Sequence, residues 1–213
     1  NLYFKRLDSN GNNLTGDIQV TFDNESYDQS IDIDRSGNLH IAWHTSNGVF
    51  YKKVDSNGNT LISTIQLETP PSAFGNVVVD ANEKAHLFWV KNGLNYIKIN
   101  QLGVNETSRI QVSSLGNNPY SIAKDNHDNV HVLYQSNYNL YYAKLNQNGN
   151  ILLRDMDITT NPNTYALAPS VQIDYYGAVR LSWIDRRTGL WELYYKHSLP
   201  PQFTIHGQPS IGN

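Results

Sequence analysis

The sequence has no cysteine and a single methionine among its 213 residues. Without cysteine there are no disulfides, no thiol nucleophiles and no cysteine-based zinc sites. A chain of this length can bury roughly 70% of its unfolded surface, so it can build a core without such cross-links. The sequence also lacks any apolar run near the ~20 residues of a membrane span. We therefore expect a core held by packing alone and no membrane insertion.

An excess of positive charge is also lacking. Sixteen Lys and Arg stand against nineteen Asp and Glu, which gives a net charge of −3. Proteins that bind nucleic acid mainly through its backbone carry clustered positive charge. This balance argues against nucleic acid as a partner. No segment shows helical periodicity, so we expect an all-β chain.

What the sequence does contain is an internal repeat of about 46 residues. Asp34, His40 and Trp43 mark its first copy, with six residues from Asp to His and three more to the aromatic. The same spacing recurs at Asp80, His86 and Trp89, at Asp125, His131 and Tyr134, and at Asp174, Arg180 and Trp183. A period of this length, built from short strands, is typical of β-propeller blades. The repeat predicts a propeller.

Each repeat is predicted to form four strands, a to d, with Asn-Gly turns such as 55–59 joining strands c and d. Within strand b, Leu39, Ile41 and Trp43 alternate with His40 and Ala42, the pattern of a half-buried strand. The predicted blades are residues 30–68, 76–112, 121–159 and 170–198.

The ends of the repeat array leave two architectures open. The chain begins at strand c of a further blade, and the last blade has no obvious strand d. Residues 1–198 are therefore either a section of a larger propeller or a small closed propeller in which the N-terminal strands complete the final blade. Residues 199–213 begin with Pro-Pro after Leu199 and break the pattern. We expect them to be a linker or the start of an immunoglobulin-like module.

The first repeat contains the sequence Asp34-Arg-Ser-Gly37-Asn38-Leu-His40-Ile-Ala-Trp43. This sequence resembles the sialidase-type repeats, also called BNR or Asp-box repeats, of bacterial and archaeal surface proteins. The resemblance covers residues 1–198. It departs from the strict Asp-box because Glu83 and Asp128 stand where the glycine belongs. It implies an extracellular, cell-surface propeller and implies no enzymatic activity, since such blades serve several functions.

The repeated histidines suggest a metal site, but their equivalent positions in successive blades argue against one. Equivalent residues of successive blades lie around a ring and do not converge on one ion as zinc requires. We expect each histidine to bond to the aspartate of its own blade, and Arg180 to do the same. Trp43, Trp89, Tyr134 and Trp183 are expected in the core. No metal and no cofactor is predicted.

The candidate binding residues lie in the b–c and d–a loops, which share one face of a propeller. The fourth b–c loop carries Asp185, Arg186, Arg187 and Trp191. The paired N–H donors of an arginine side chain suit a carboxylate ligand, and the face of an aromatic ring suits a sugar. The same loop is also consistent with a twisted hairpin in which Trp191 covers the blade edge. Other loops of this face contribute Phe74, Tyr120, Tyr138 and Tyr165.

These features predict a non-catalytic recognition, adhesion or scaffold module that binds a glycan or a protein at the cell surface. One alternative is a sialidase-like glycoside hydrolase, which would need an arginine cluster for the substrate carboxylate, a Tyr/Glu pair and an acidic residue, whereas the seven arginines are scattered. The other is a structural subunit or spacer of a surface layer or filament. Assembly with other domains of the same parent chain is a further expectation.

Overall fold

The computed structural model describes residues 1–22, 25–116, 118–160 and 165–198, without the side chains of residues 118–120. Those residues form seventeen β-strands and no helix, so no described helix is long and apolar enough to cross a membrane. The strands are grouped into consecutive antiparallel sheets. The predicted all-β propeller is confirmed.

The sheets follow the chain in order as a half-blade and four blades. The half-blade pairs β1 (Tyr3–Phe4) with β2 (Ile18–Gln19). Blade 1 comprises β3 (Tyr27–Ile33), β4 (Leu39–Thr45), β5 (Gly48–Val54) and β6 (Thr60–Glu68), and blade 2 comprises β7 (Ala73–Val79), β8 (Ala85–Val90), β9 (Leu94–Ile99) and β10 (Ile110–Ser113). Blade 3 comprises β11 (Asn118–Lys124), β12 (Val130–Ser136), β13 (Asn139–Leu145) and β14 (Ile151–Asp157), and blade 4 comprises β15 (Leu167–Ile173), β16 (Val179–Asp185) and β17 (Glu192–His197).

In blades 1 to 3 the second strand is buried on both faces. The alternation of apolar and polar residues in its sequence instead predicts a strand that is buried on one face only. In β4, Trp43 and Ile41 pack towards the half-blade, while Ala42 packs towards blade 2. The polar positions of the alternation are covered as well, and His40 is only 1% exposed. The reason is the radial arrangement, in which each blade is enclosed by its two neighbours.

The repeated aspartate and histidine form one buried network per blade. In blade 1, Asp34 accepts hydrogen bonds from the backbone and side-chain amides of Asn38, and its Oδ2 lies 3.2 Å from Nε2 of His40. The other ring nitrogen of His40 lies 2.9 Å from the hydroxyl of Tyr51. Lys53 lies 2.7 Å from Asp34. Equivalent contacts in blades 2 and 3 join Asp80 to His86 and Asp125 to His131.

These networks confirm the predicted structural role of the histidines. Burial lowers the pKa of His40, and the nearby carboxylate of Asp34 opposes that shift only in part. Burial would raise the pKa of Asp34, but hydrogen bonds from Lys53 and Asn38 outweigh it and lower that pKa. In blade 4, Arg180 bonds to Asp174 through Nε at 3.0 Å and Nη2 at 2.6 Å, as predicted.

Four hydrophobic clusters fill the junctions between successive sheets. The predicted core aromatics each lie in one of these clusters and are at most 4% exposed: Trp43, Trp89, Tyr134 and Trp183. Their burial confirms the prediction that they are core residues. Among the described residues, no such cluster joins blade 4 to the half-blade.

Two sheet faces are consequently left uncovered. Leu193 and Tyr195 of blade 4 are 76% and 58% exposed, whereas the equivalent Leu94 and Tyr96 of blade 2 are fully buried. On the opposite side, Ile31 of blade 1 is 53% exposed. The described blades form an open arc and not a closed ring. The expected linker or module at 199–213 lies outside the described residues.

Candidate functional site

One face of the arc is built where the b–c turn of each blade meets the connection into the next blade. At the junction of blades 3 and 4, Ala166 donates its backbone N–H to the carbonyl of Tyr138 at 2.8 Å. At the junction of blades 1 and 2, the ring of Phe74 lies 6.0 Å from that of His44. These contacts place the predicted loops on a shared surface, which we call the loop face.

Asp185 and Arg187, two of the predicted binding residues, are bound to each other. Asp185 is fully buried and forms an ion pair with the guanidinium of Arg187, and it also accepts a hydrogen bond from the Trp183 indole at 2.9 Å. The Arg187 guanidinium lies 4.0 Å from the ring centre of Tyr194. Burial would raise the pKa of Asp185, but the bonds from Arg187 lower it. Arg187 therefore serves to neutralise a buried carboxylate within blade 4.

Arg186 and Trp191 remain directed to solvent in the same loop. The guanidinium of Arg186 lies 5.4 Å from the centre of the Trp191 ring, and half of Trp191 is exposed. This cation–π pair is accessible to a ligand and is the part of the loop that retains the predicted binding character.

The tyrosines of the loop face form a separate group. The rings of Tyr138 and Tyr165 lie 4.7 Å apart at the junction of blades 3 and 4. Phe74 lies at the junction of blades 1 and 2, beside His44. The side chain of Tyr120 lies outside the described residues. The structure thus brings the predicted residues together as pairs spread along the face.

A further pair on the loop face escapes sequence reasoning. Nδ1 of His44 lies 3.3 Å from Oδ2 of Asp28, a distance suited to an ion pair but without the alignment of a hydrogen bond. The His44 side chain is 17% exposed and that of Asp28 is 50% exposed. The ring of Tyr27 lies 5.6 Å from His44 on one side, and Phe74 lies on the other. An accessible His–Asp pair is thus framed by two aromatic rings.

Backbone irregularities position this group. The pairing of β3 with β4 shifts register between Tyr27 and Ser30, and Asp28 there has a φ of 45°. The pairing of β7 with β8 shifts at the equivalent place, and Phe74 has a φ of 59°. Such bulges re-aim side chains, and the same shift recurs in blades 3 and 4 as a feature of the repeat. They turn Asp28 and Phe74 towards His44.

The same junction carries an excess of positive charge at its outer end. Glu68 is nearly buried and pairs with Lys91 at 2.8 Å and with Arg109. Two cations against one carboxylate leave a net charge of +1, and 44% of the Arg109 side chain is exposed. Burial opposes ionisation of Glu68, but the hydrogen bond from Lys91 lowers its pKa. This patch favours an anionic ligand.

Three other carboxylates of this face, Asp155, Asp185 and Glu68, are committed to structural contacts, whereas exposed Glu192 accepts hydrogen bonds from the hydroxyls of Thr188 and Tyr194. Asp155 accepts hydrogen bonds from the hydroxyls of Tyr134, at 2.7 Å, and Ser113. Asp185 and Glu68 are paired with arginine and have lowered pKa values. Within the described residues, no group of three or more His, Asp or Glu side chains could hold a metal ion. His44, with Asp28 beside it, is therefore the candidate for proton transfer at the junction of blades 1 and 2.

The chain matches no protein-family model and no curated protein sequence. Solved structures with the same fold include an ulvan lyase of polysaccharide lyase family PL25, with 13% identity and a TM-score of 0.57 over 83% of this chain and 56% of the lyase. An α-L-arabinofuranosidase from Clostridium thermocellum matches with 14% identity and a TM-score of 0.50 over 76% of this chain and 62% of the enzyme. Virginiamycin B lyase from Staphylococcus aureus matches with 12% identity and a TM-score of 0.54 over 83% and 58% of the two chains.

These similarities show the propeller fold, and the chain spans less than two thirds of each of these three proteins. They also correct one prediction. The expectation that the chain is not an enzyme is contradicted, because these structures with its fold are enzymes and two of them act on carbohydrate. Scattered arginines argue against sialidase-type hydrolysis but do not exclude other enzyme mechanisms. The resemblance to sialidase-type repeats itself stays a prediction.

Proposed function

We propose that this chain is part of a carbohydrate-active propeller that cleaves an acidic polysaccharide by elimination, with His44 as the general base. The observation that carries this proposal is the accessible His44–Asp28 pair between Tyr27 and Phe74 on the loop face. Histidine is the side chain best suited to exchange protons near neutral pH.

Asp28 orients the base. A carboxylate next to Nδ1 favours the tautomer that carries its proton there, which leaves Nε2 free to accept one. The poor alignment across 3.3 Å is compatible with this role, since catalytic hydrogen bonds are often loose before substrate binds. Asp28 is therefore a positioning residue, and His44 is the catalytic one.

The reaction balances as a β-elimination. Nε2 of His44 takes the proton from the carbon next to the uronate carboxylate. The electron pair of that C–H bond forms a carbon–carbon double bond, and the bond to the glycosidic oxygen breaks. The leaving oxygen takes a proton from the hydroxyl of Tyr27, whose ring lies 5.6 Å from His44. Proton exchange with water restores both groups.

The surroundings match a uronate-containing chain. Lys91 and Arg109, at the outer end of the same junction, attract an acidic chain. Phe74 offers a rigid apolar surface next to His44. Two similar structures add support: the ulvan lyase is also solved bound to a GlcA–Rha saccharide, and virginiamycin B lyase is described as catalytically inactive in a histidine-to-alanine variant.

Hydrolysis is the second candidate, because the arabinofuranosidase shares the fold. Glycoside hydrolysis normally needs two carboxyl groups, one of them an acid with a raised pKa. Glu68 and Asp185 instead have lowered pKa values and are held by cations. Neither of these two carboxyl groups is therefore suited to act as the acid, which favours elimination over hydrolysis by this pair. We further propose that the chain acts outside the cell or at its surface, where such polysaccharides are met.

The test is incubation of the intact chain with ulvan, polygalacturonate and neutral polysaccharides. We expect ultraviolet absorbance of an unsaturated product from an acidic polymer, and its loss in His44→Ala. The matched control is His127→Ala, because His127 is exposed in the a–b turn of blade 3, on the opposite face. Equal turnover by His44→Ala, or no turnover of any polymer by the wild type, would contradict the proposal.

A further inference from the structure

The pair formed by Tyr138 and Tyr165 has an unusual backbone. Tyr138 has a φ of 64° and Tyr165 a φ of 54°, both in the left-handed region. Bulky residues rarely adopt this region, because Cβ then approaches the following carbonyl. Strained residues of this kind persist where the surroundings hold them, and they cluster at functional sites. Here both members of one aromatic pair are strained.

The turn that carries Tyr138 has a backbone conformation that glycine adopts more readily than tyrosine. Asn137 and Tyr138 are the two central residues of the hairpin between β12 and β13, and both have positive φ. Glycine is the favoured residue at the second position of such a turn. The b–c turn of blade 2 is one residue longer, and there Asn92 and Gly93 have positive φ. Folding therefore favours glycine where this chain has tyrosine.

The two rings are presented rigidly at the surface. The backbone N–H of buried Ala166 bonds to the carbonyl of Tyr138, and the Ala166 carbonyl accepts a hydrogen bond from the side chain of Gln135. Both rings nevertheless remain accessible, with 48% of Tyr138 and 47% of Tyr165 exposed. A rigid aromatic surface binds at low entropic cost, because little freedom is lost when a ligand arrives.

We propose that Tyr138 and Tyr165 form a stacking subsite for pyranose units of a polysaccharide, two blade junctions away from His44 on the loop face. The C–H face of a pyranose is apolar and its rim is polar, which matches a tyrosine ring with its hydroxyl. This inference rests on the proposed function and extends it. The substrate is a polymer that crosses the loop face, so only fragments long enough to reach from His44 to the subsite gain its affinity.

The test measures binding of the intact chain to size-graded fragments of ulvan and of polygalacturonate by calorimetry. We expect Tyr138→Ala/Tyr165→Ala to weaken binding of long fragments roughly tenfold, as the loss of two aromatic contacts implies, and to leave short fragments unaffected. Tyr138→Gly preserves the turn and relieves the strain at φ 64°, so it should show the same selective loss without any fall in thermal stability. The matched control is Tyr175→Ala/Tyr176→Ala, which removes two exposed rings 5.5 Å apart on the opposite face.

The outcomes separate the two proposals. If long fragments bind equally to the wild type and to both Tyr138 variants, the subsite is wrong, whatever happens to turnover. If wild type and His44→Ala turn over no polymer but the tyrosine variants still lose affinity for long fragments, the elimination proposal fails and the subsite stands. Equal weakening of short and long fragments, or no binding of any fragment by the wild type, overturns the subsite.

Discussion

Leu94 and Leu193 occupy equivalent positions in the third strands of blades 2 and 4, and they offer a direct test of the open arc. Leu94 pairs with Val90 and is fully buried against blade 3, whereas Leu193 pairs with Ile184 and is 76% exposed. Leu94→Ala removes buried methyl groups and leaves a cavity, which costs about 2–5 kcal/mol. Leu193→Ala removes groups that are already in water, and we expect a change within about 0.5 kcal/mol.

Thermal unfolding followed by circular dichroism measures the difference. For a chain of this size the Leu94→Ala change corresponds to a fall in Tm of roughly 5 to 15 °C, and Leu193→Ala should shift Tm by less than about 2 °C. A similar fall in both variants would refute the reasoning. It would mean that the outer face of blade 4 is covered in solution, by closure of the arc or by a second molecule.

Two further predictions concern stability. Burial lowers the pKa of His40, His86 and His131, so below pH 6.5 the unfolded chain binds protons that the folded chain does not. The free energy of unfolding should therefore fall as pH drops from 6.5 to 5, by at most about 4 kcal/mol per pH unit for the three histidines together. Denaturant titrations at each pH measure this free energy, and a constant or rising value would contradict the prediction. Arg187→Ala should cost about 2–3 kcal/mol because it leaves buried Asp185 without its cation, while Arg186→Ala should cost under about 1 kcal/mol. Equal melting temperatures for the two variants would show that the ion pair has no structural role.

The blades and their internal networks could be predicted from the sequence because they recur. The spacing of Asp34, His40 and Trp43 repeats in blades 1 to 3, and those copies have the same buried contacts, whereas blade 4 has a more exposed bond from Arg180 to Asp174. Alternation alone could not show that strand b is buried on both faces. That property arises from the neighbouring blades, whose packing no local pattern encodes.

The catalytic candidate was missed because it lies where the blades differ. His44 is equivalent to Val90, Gln135 and Ile184, and Asp28 to Phe74 and Ala168. A titratable residue at a position that is otherwise variable was the available signal. The bulge between Tyr27 and Ser30, which turns Asp28 towards His44, depends on backbone pairing and could not be inferred from spacing.

The predicted loop of blade 4 illustrates the opposite problem. Adjacent arginines in a loop suggest a ligand site, but the sequence does not show which arginine faces inwards. The structure assigns Arg187 to buried Asp185 and leaves Arg186 with Trp191 at the surface. Charged residues in a loop predict hydrogen-bond donors. Only the packing of the folded chain decides whether those donors are already bound to other residues of the protein.

Elimination by His44 is the central claim. Cleavage of an acidic polysaccharide in water labelled with the heavy isotope oxygen-18 tests it most directly. Hydrolysis places one water oxygen in the cleaved product, whereas elimination forms a double bond and takes up none. We predict products that lack the heavy oxygen, are lighter than hydrolysis products by one water, and are absent with His44→Ala. Products that carry the heavy oxygen at early times, before the new reducing end exchanges its oxygen with water, or that form equally with His44→Ala, would contradict the account.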